Sequence, residues 1–92
     1  MPVVRLPSLL RPLAGGASEI VASGATLREV IDDLDRQHPG LKDRILDGDM
    51  IRGDTMLAVN ADEAQDLNTP VPPDAEVHIL PSIAGGASRR MR

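Results

Sequence analysis

Residues 26–40 read TLREVIDDLDRQHPG, and their periodicity is the strongest structural signal in the chain. Leu27, Val30, Ile31 and Leu34 recur at i, i+3, i+4 and i+7, which puts four aliphatic side chains on one face of a helix. Thr26 and Glu29 stand at the spacing of a capping box, in which the hydroxyl and the carboxylate each cover a backbone N–H left free by the first turn. Pro39-Gly40 ends the helix. A single apolar stripe has to be buried against something, and the flanking segments read as the sheet that would take it.

Upstream, VVRL (3–6) and SEIVAS (18–23) have strand composition, and the proline- and glycine-bearing PSLLRPLAGGA between them predicts a loose hairpin. Downstream, LKDRIL (41–46) predicts one more helical turn with Leu41 and Ile45 inward, and the DGD at 47–49 has turn chemistry. TMLAVN (55–60) reads as the third strand, followed by a polar stretch with a short strand or turn around 64–67. AEVHIL (75–80) is the last strand, with Val77 and Ile79 on one face, Glu76, His78 and Leu80 on the other, and Pro81 as its stop. Strand, strand, helix, then strands, the last returning beside the first, is the α+β arrangement called the β-grasp. A folded domain over 1–83 and a flexible tail over 84–92 are expected, since SIAGGASRRMR has little to pack.

Ninety-two residues allow one core. Phe, Tyr and Trp are all absent, so that core must be aliphatic and the stability modest, a few kcal/mol. There is no cysteine, which removes disulfides, thiolate–metal sites and a cysteine nucleophile. Arg5, Pro7, Arg11 and Pro12 interrupt the start before an apolar run reaches signal-peptide or membrane-span length, so a cytoplasmic protein is expected. Residues 1–86 carry 7 basic and 14 acidic side chains, whereas Arg89, Arg90 and Arg92 make the end basic. An acidic body argues against nucleic-acid binding, which needs a basic face, and favours protein partners.

No catalytic or metal constellation emerges. His38 and His78 lie far apart without Cys or carboxylate at ligand spacing; His38 is expected to close the helix end and His78 to decorate a strand. Asp43, Asp47 and Asp49 lack the sixth-position glycine and terminal glutamate of a calcium loop and read as a turn. Asp32, Asp33 and Asp35 read as a solvated helix face.

Two Gly-Gly pairs remain. The dipeptide itself carries little weight, because 8 glycines in 92 residues yield roughly 0.7 such pairs by chance. Gly15-Gly16 reads as a loop. Gly85-Gly86 has a different setting, a few residues past the final strand on a segment too small and polar to pack. The chemistry that needs such an end is activation of a terminal carboxylate by ATP to an acyl-adenylate, since only glycine gives the close backbone approach and open φ/ψ that a narrow nucleotide site demands.

The ILPSIAGG ending after PPDAEVH, together with LLRPLAGGASEIVASGATLREVIDDLD, resembles the ThiS/MoaD family of ubiquitin-like sulfur carriers, nearest to its mycobacterial-type branch serving cysteine synthesis. The likeness spans nearly all of residues 3–86 and is least distinctive over 41–54. It implies a non-catalytic cytoplasmic carrier, a monomer when free and without a bound cofactor or metal. The carboxyl of Gly86 would be adenylated by an E1-like enzyme that uses ATP, converted to a thiocarboxylate, and its sulfur passed to an acceptor on a synthase. Ile83, Ala84 and Gly85 would enter the partner's groove. Members of the family commonly end at Gly-Gly, whereas Ala87 to Arg92 follow here, so a proform cut between Gly86 and Ala87 by a JAMM-type zinc metallopeptidase is expected. Two alternatives use the same residues differently: a ubiquitin-like modifier joining Gly86 to lysines, and a non-covalent β-grasp interaction module working through an apolar face that includes Leu80 and Ile83.

Overall fold

The predicted helix forms over Leu27–Gln37 (α1), and Leu27, Val30, Ile31 and Leu34 are all buried. The computed structural model describes residues 1–82. Thr26 caps α1, its hydroxyl accepting from Glu29 N at 3.3 Å. The reciprocal half of the expected box falls one residue earlier, because the Glu29 carboxylate accepts from Ala25 N at 2.8 Å. The first two helical N–H groups find carbonyls elsewhere: Leu27 N donates to Thr69 O and Arg28 N to Leu67 O. The polar stretch after the third predicted strand thus supplies acceptors that the helix cannot provide for itself.

Seven strands accompany it in the described residues: β1 Val3–Arg5, β2 Glu19–Val21, β3 Leu46–Asp47, β4 Met50–Ile51, β5 Thr55–Val59, β6 Asp62–Ala64 and β7 Glu76–Pro81, with a short α2 over Leu41–Ile45. Five form one sheet in the order β2-β1-β7-β5-β6, and β3 with β4 makes a separate hairpin. β7 runs parallel to β1, Val4 opposite Val77, and antiparallel to β5, Leu57 opposite Ile79. All other pairings are antiparallel, and the mixed sheet under one main helix is the ubiquitin-like β-grasp expected from element order. Alternation along β7 is as predicted: Val77 and Ile79 are buried under the helices, while Glu76, His78 and Leu80 face outward. The aliphatic core joins these to Val4, Leu41, Ile45 and Leu57.

The boundaries differ in three places, each with a local cause. The third predicted strand stops at Val59 because Asn60 turns left-handed at φ 56, and the two-residue turn returns the chain at once into Asp62–Ala64, earlier than the expected 64–67. Asn60 also ties that turn to the sheet centre, its N–H donating to Glu76 O and its side-chain oxygen accepting from Glu76 N. Pro81 does not stop β7 but lies opposite Thr55 as its last residue. Ser82 N points toward Asp54 O on the β5 side, so the position preceding it faces the side where β1 has already ended, and the missing N–H of proline costs no ladder bond. The expected turn at 47–49 is the tip of the β3–β4 hairpin, with Gly48 left-handed at φ 64. Within the first connection, a 3-10 turn over Arg11–Ala14 buries Leu10 and Ala14.

Candidate functional site

The sequence points to the end of β7. There Leu80 lies opposite Met56 on the open face of the sheet, and Ser82 N donates to Asp54 O at 2.9 Å, so the backbone is held up to Ser82. Ile83, Ala84, Gly85, Gly86 and the Gly86/Ala87 junction lie outside the described residues. The described body supplies the platform from which that segment departs.

At this exit a groove of about 330 Å³ opens between the first connection, α2 and the start of β5. Pro7, Leu9, Leu80 and Pro81 give it apolar walls, and Arg44, Arg52 and Asp54 border it. Leu9 is 71% exposed and Leu80 43%. Leu9 is held up by structure beneath it: its neighbour Leu10 is buried, with its N–H on Pro7 O at 3.0 Å, and the 3-10 turn follows directly. No periodicity marks Leu9, because it sits in a proline-flanked loop; the only signal is a Leu-Leu pair where a loop would be polar.

The open face of the sheet next to the groove carries an ion network. Arg5 contacts Glu19 at 2.8 Å and Glu76 at 3.2 Å, and His78 Nε2 lies 3.2 Å from Glu76. The hydrogen bond from Arg5 holds the Glu76 carboxyl below the usual carboxylate range. His78 decorates the strand as expected, half-buried beside Glu76. His38 caps α1 through its backbone, its N–H donating to Leu34 O at 2.8 Å.

The reading of a solvated face holds for Asp32, which is exposed, and is corrected at Asp33. Asp33 is buried, only 8% exposed, and accepts from Arg36, from Ser23 N at 3.0 Å and from Gln37 Nε2 at 2.9 Å. The Arg36 hydrogen bond, then those of Ser23 and Gln37, lower its pKa from 3.8 to about 2. Asp35 accepts from Gly40 N and Lys42 N, joining α1 to α2, and Asp32 pairs with Lys42 at 2.7 Å. Acids clustered on a helix look like solvent-facing charge; Arg36 and Gln37 stand at i+3 and i+4 from Asp33, but Ser23, just past β2, and Lys42 of α2 are partners that sequence spacing does not show. These contacts are structural. Among the described residues no group of three or more His, Asp or Glu is close enough together to hold a metal, and no helix is long and apolar enough to cross a membrane.

The ThiS family pattern matches residues 4–86. The chain belongs to the ThiS family. The match ends on Gly86, and the six residues beyond lie outside it. The sulfur carrier protein CysO of Mycobacterium tuberculosis is 36% identical over 90 residues, spanning 90% of this chain and 96% of that protein. Its crystal structure superposes with a TM-score of 0.84 at 31% identity over 89% of this chain and 99% of that one. A chain of the Amycolatopsis orientalis BexX/CysO complex gives 0.86 at 31% identity, covering 94% and 100%. Small archaeal modifier protein 1 of Methanosarcina acetivorans gives 0.77 at 28%, covering 92% and 95%.

Proposed function

We propose that this ThiS-family chain is a sulfur carrier protein rather than an enzyme. The observation that carries this reading is the likeness to CysO, which runs through sequence and fold over nearly the whole length of both chains. In the finer reading, residues 87–92 are first removed by a metallopeptidase of the JAMM type. Hydrolysis of the Gly86–Ala87 peptide bond consumes one water, leaves a carboxylate on Gly86 and releases the basic hexapeptide.

An E1-like enzyme then joins the Gly86 carboxylate to the α-phosphate of ATP, releasing pyrophosphate. A sulfide-level donor displaces AMP from the acyl-adenylate and leaves a thiocarboxylate. The carrier supplies no acid, base or metal to these steps. It supplies an unbranched terminus that fits where a Cβ would not, on a body that presents it from a fixed point at Ser82. A synthase acceptor takes the sulfur, the cytoplasm being the expected compartment and cysteine, cofactor or secondary-metabolite synthesis the expected use.

A second reading has its own support, the likeness to a small archaeal modifier protein. There the same activated Gly86 would acylate a lysine amine and release AMP. Covalent adducts of the chain in lysate from its own cells would favour it.

The experiment compares chains ending at Gly86 and at Arg92 in ATP–pyrophosphate exchange by the adenylating enzyme of the same organism. Exchange with the shorter chain and none with the longer is expected, and Gly86→Val in the shorter chain should abolish exchange without changing its thermal unfolding. Equal inertness of both chains would sink the carrier reading and favour the non-covalent interaction module.

A further inference from the structure

We propose that the groove at the exit of β7 docks an acidic segment of the adenylating partner, with an apolar side chain seated on Leu9, Leu80 and Pro81 and carboxylates set against Arg44 and Arg52. The inference rests on the carrier reading but concerns a surface of the described body rather than the reactive end.

Charge is the first argument. Residues 1–86 carry twice as many acids as bases, and most of those bases are already neutralised: Arg5, Arg28, Arg36 and Lys42 each pair with a carboxylate. Arg52 reaches Asp54 at 3.5 Å and the backbone oxygen of Asp43 at 3.5 Å. Among the described residues, Arg11 and Arg44 have no carboxylate partner. Arg11 bonds through Nε to Leu6 O, which leaves Arg44, beside Arg52, as the available cation, and both border this groove. Asp54 also lies on the rim, set against Arg52, so the net positive charge there comes from Arg44; on an otherwise acidic surface that charge selects a partner segment of opposite sign.

The second argument is preorganisation. Leu9 is a large exposed side chain on a turn fixed by Pro7, by buried Leu10 and by the 3-10 turn, so little conformational freedom remains to be lost when a partner covers it.

The third is position. Gly86 is four residues beyond Ser82, a span of at most about 14 Å when extended. Any protein holding Gly86 in a nucleotide site must therefore bring its surface over this end of the sheet. The chain's own residues 87–92 are a poor occupant, because their three arginines repeat the charge of the rim.

The test uses the chain ending at Gly86 and the adenylating enzyme. Arg44→Glu and Leu9→Ser are each expected to raise the KM for the carrier about tenfold, with kcat within twofold, while Arg44→Lys stays near wild type. Both altered positions are exposed, and unchanged thermal unfolding would verify the fold. A KM for Arg44→Glu within twofold of wild type, with wild type loading normally, would overturn the docking proposal and leave the carrier reading standing. Failure of wild type to load would overturn both.

Titration of ¹⁵N-labelled chain with the enzyme gives a second readout. Amide shifts clustered at residues 8–10, 44, 52, 80 and 82 are expected. Shifts confined to the outer face of α1, or concentration-dependent self-association of the free carrier through the groove, would overturn the proposal.

Discussion

The first turn of α1 and the exit of β7 belong to one small body and are finished in opposite ways. Around α1 polar groups meet partners: Thr26 and Glu29 cap backbone N–H groups, Thr69 O and Leu67 O accept from Leu27 and Arg28, and Asp33 takes three donors. Gly24 allows the β2–α1 connection to pass against Glu29 and Val30, where a side chain would not fit. At the exit of β7, by contrast, Leu9 and Leu80 stay exposed and Arg44 lacks a carboxylate among the described residues. Large apolar groups held together beside a cation form a surface that a partner can cover. The first region is closed by its own chain, and the second is complementary to something else.

The contrast predicts large stability effects at the first region. At Gly24, with φ 153, an added Cβ would lie 2.6 Å from Val30 N and 2.8 Å from Glu29 C, so backbone rather than a flexible side chain must move. Gly24→Ala is expected to cost about 2–3 kcal/mol, measured by urea unfolding. Gly53→Ala, where the Cβ meets nothing within 4 Å, is the control and should change little. A Gly24→Ala chain as stable as wild type would show that the junction is not closed in this way.

Asp33 gives a smaller effect with a pH signature. Its pKa is lowered from 3.8 to about 2 in the folded chain, so the unfolded chain takes up the proton first as the solution is acidified. The stabilisation is complete above the unfolded value, near pH 4, and is lost as pH falls through the folded value near 2. Asp33→Asn should lower the urea midpoint at neutral pH and flatten its dependence between about pH 2 and 5. An unaltered slope would assign the acid sensitivity to other carboxylates.

The same contrast explains what the sequence made legible. The buried face of α1, its Thr26 cap, the inward pair Val77 and Ile79, and the order of elements all follow from short-range spacing, and the structure has them. Long-range pairing is where spacing fails. Asp33 reads as solvent-facing until the segment after β2 brings Ser23 against it, and Pro81 reads as a stop until β1 is seen to have ended beside it. For the candidate site, Gly85-Gly86 is readable from its setting after the last strand, since its proposed chemistry depends on lacking a side chain. The groove is not, because Leu9, Arg44, Arg52 and Leu80 come from four separate segments that only the fold assembles.

The smallest stability effect is expected at Leu80, and it is the one that separates the two regions most directly. Leu80 faces Met56 on the open side of the sheet and is 43% exposed, so replacing it removes a half-wet contact rather than opening a cavity. Threonine brings the β-branched shape that a strand favours while adding a hydroxyl to the groove wall. Leu80→Thr should therefore leave stability within about 0.5 kcal/mol of wild type by thermal unfolding, yet weaken loading of the chain that ends at Gly86. If Leu80→Thr instead destabilised the chain as much as Gly24→Ala, Leu80 would be an outlying part of the core. Its exposure would then mark only the end of a central strand, and Leu9 alone would remain as an apolar anchor for a partner.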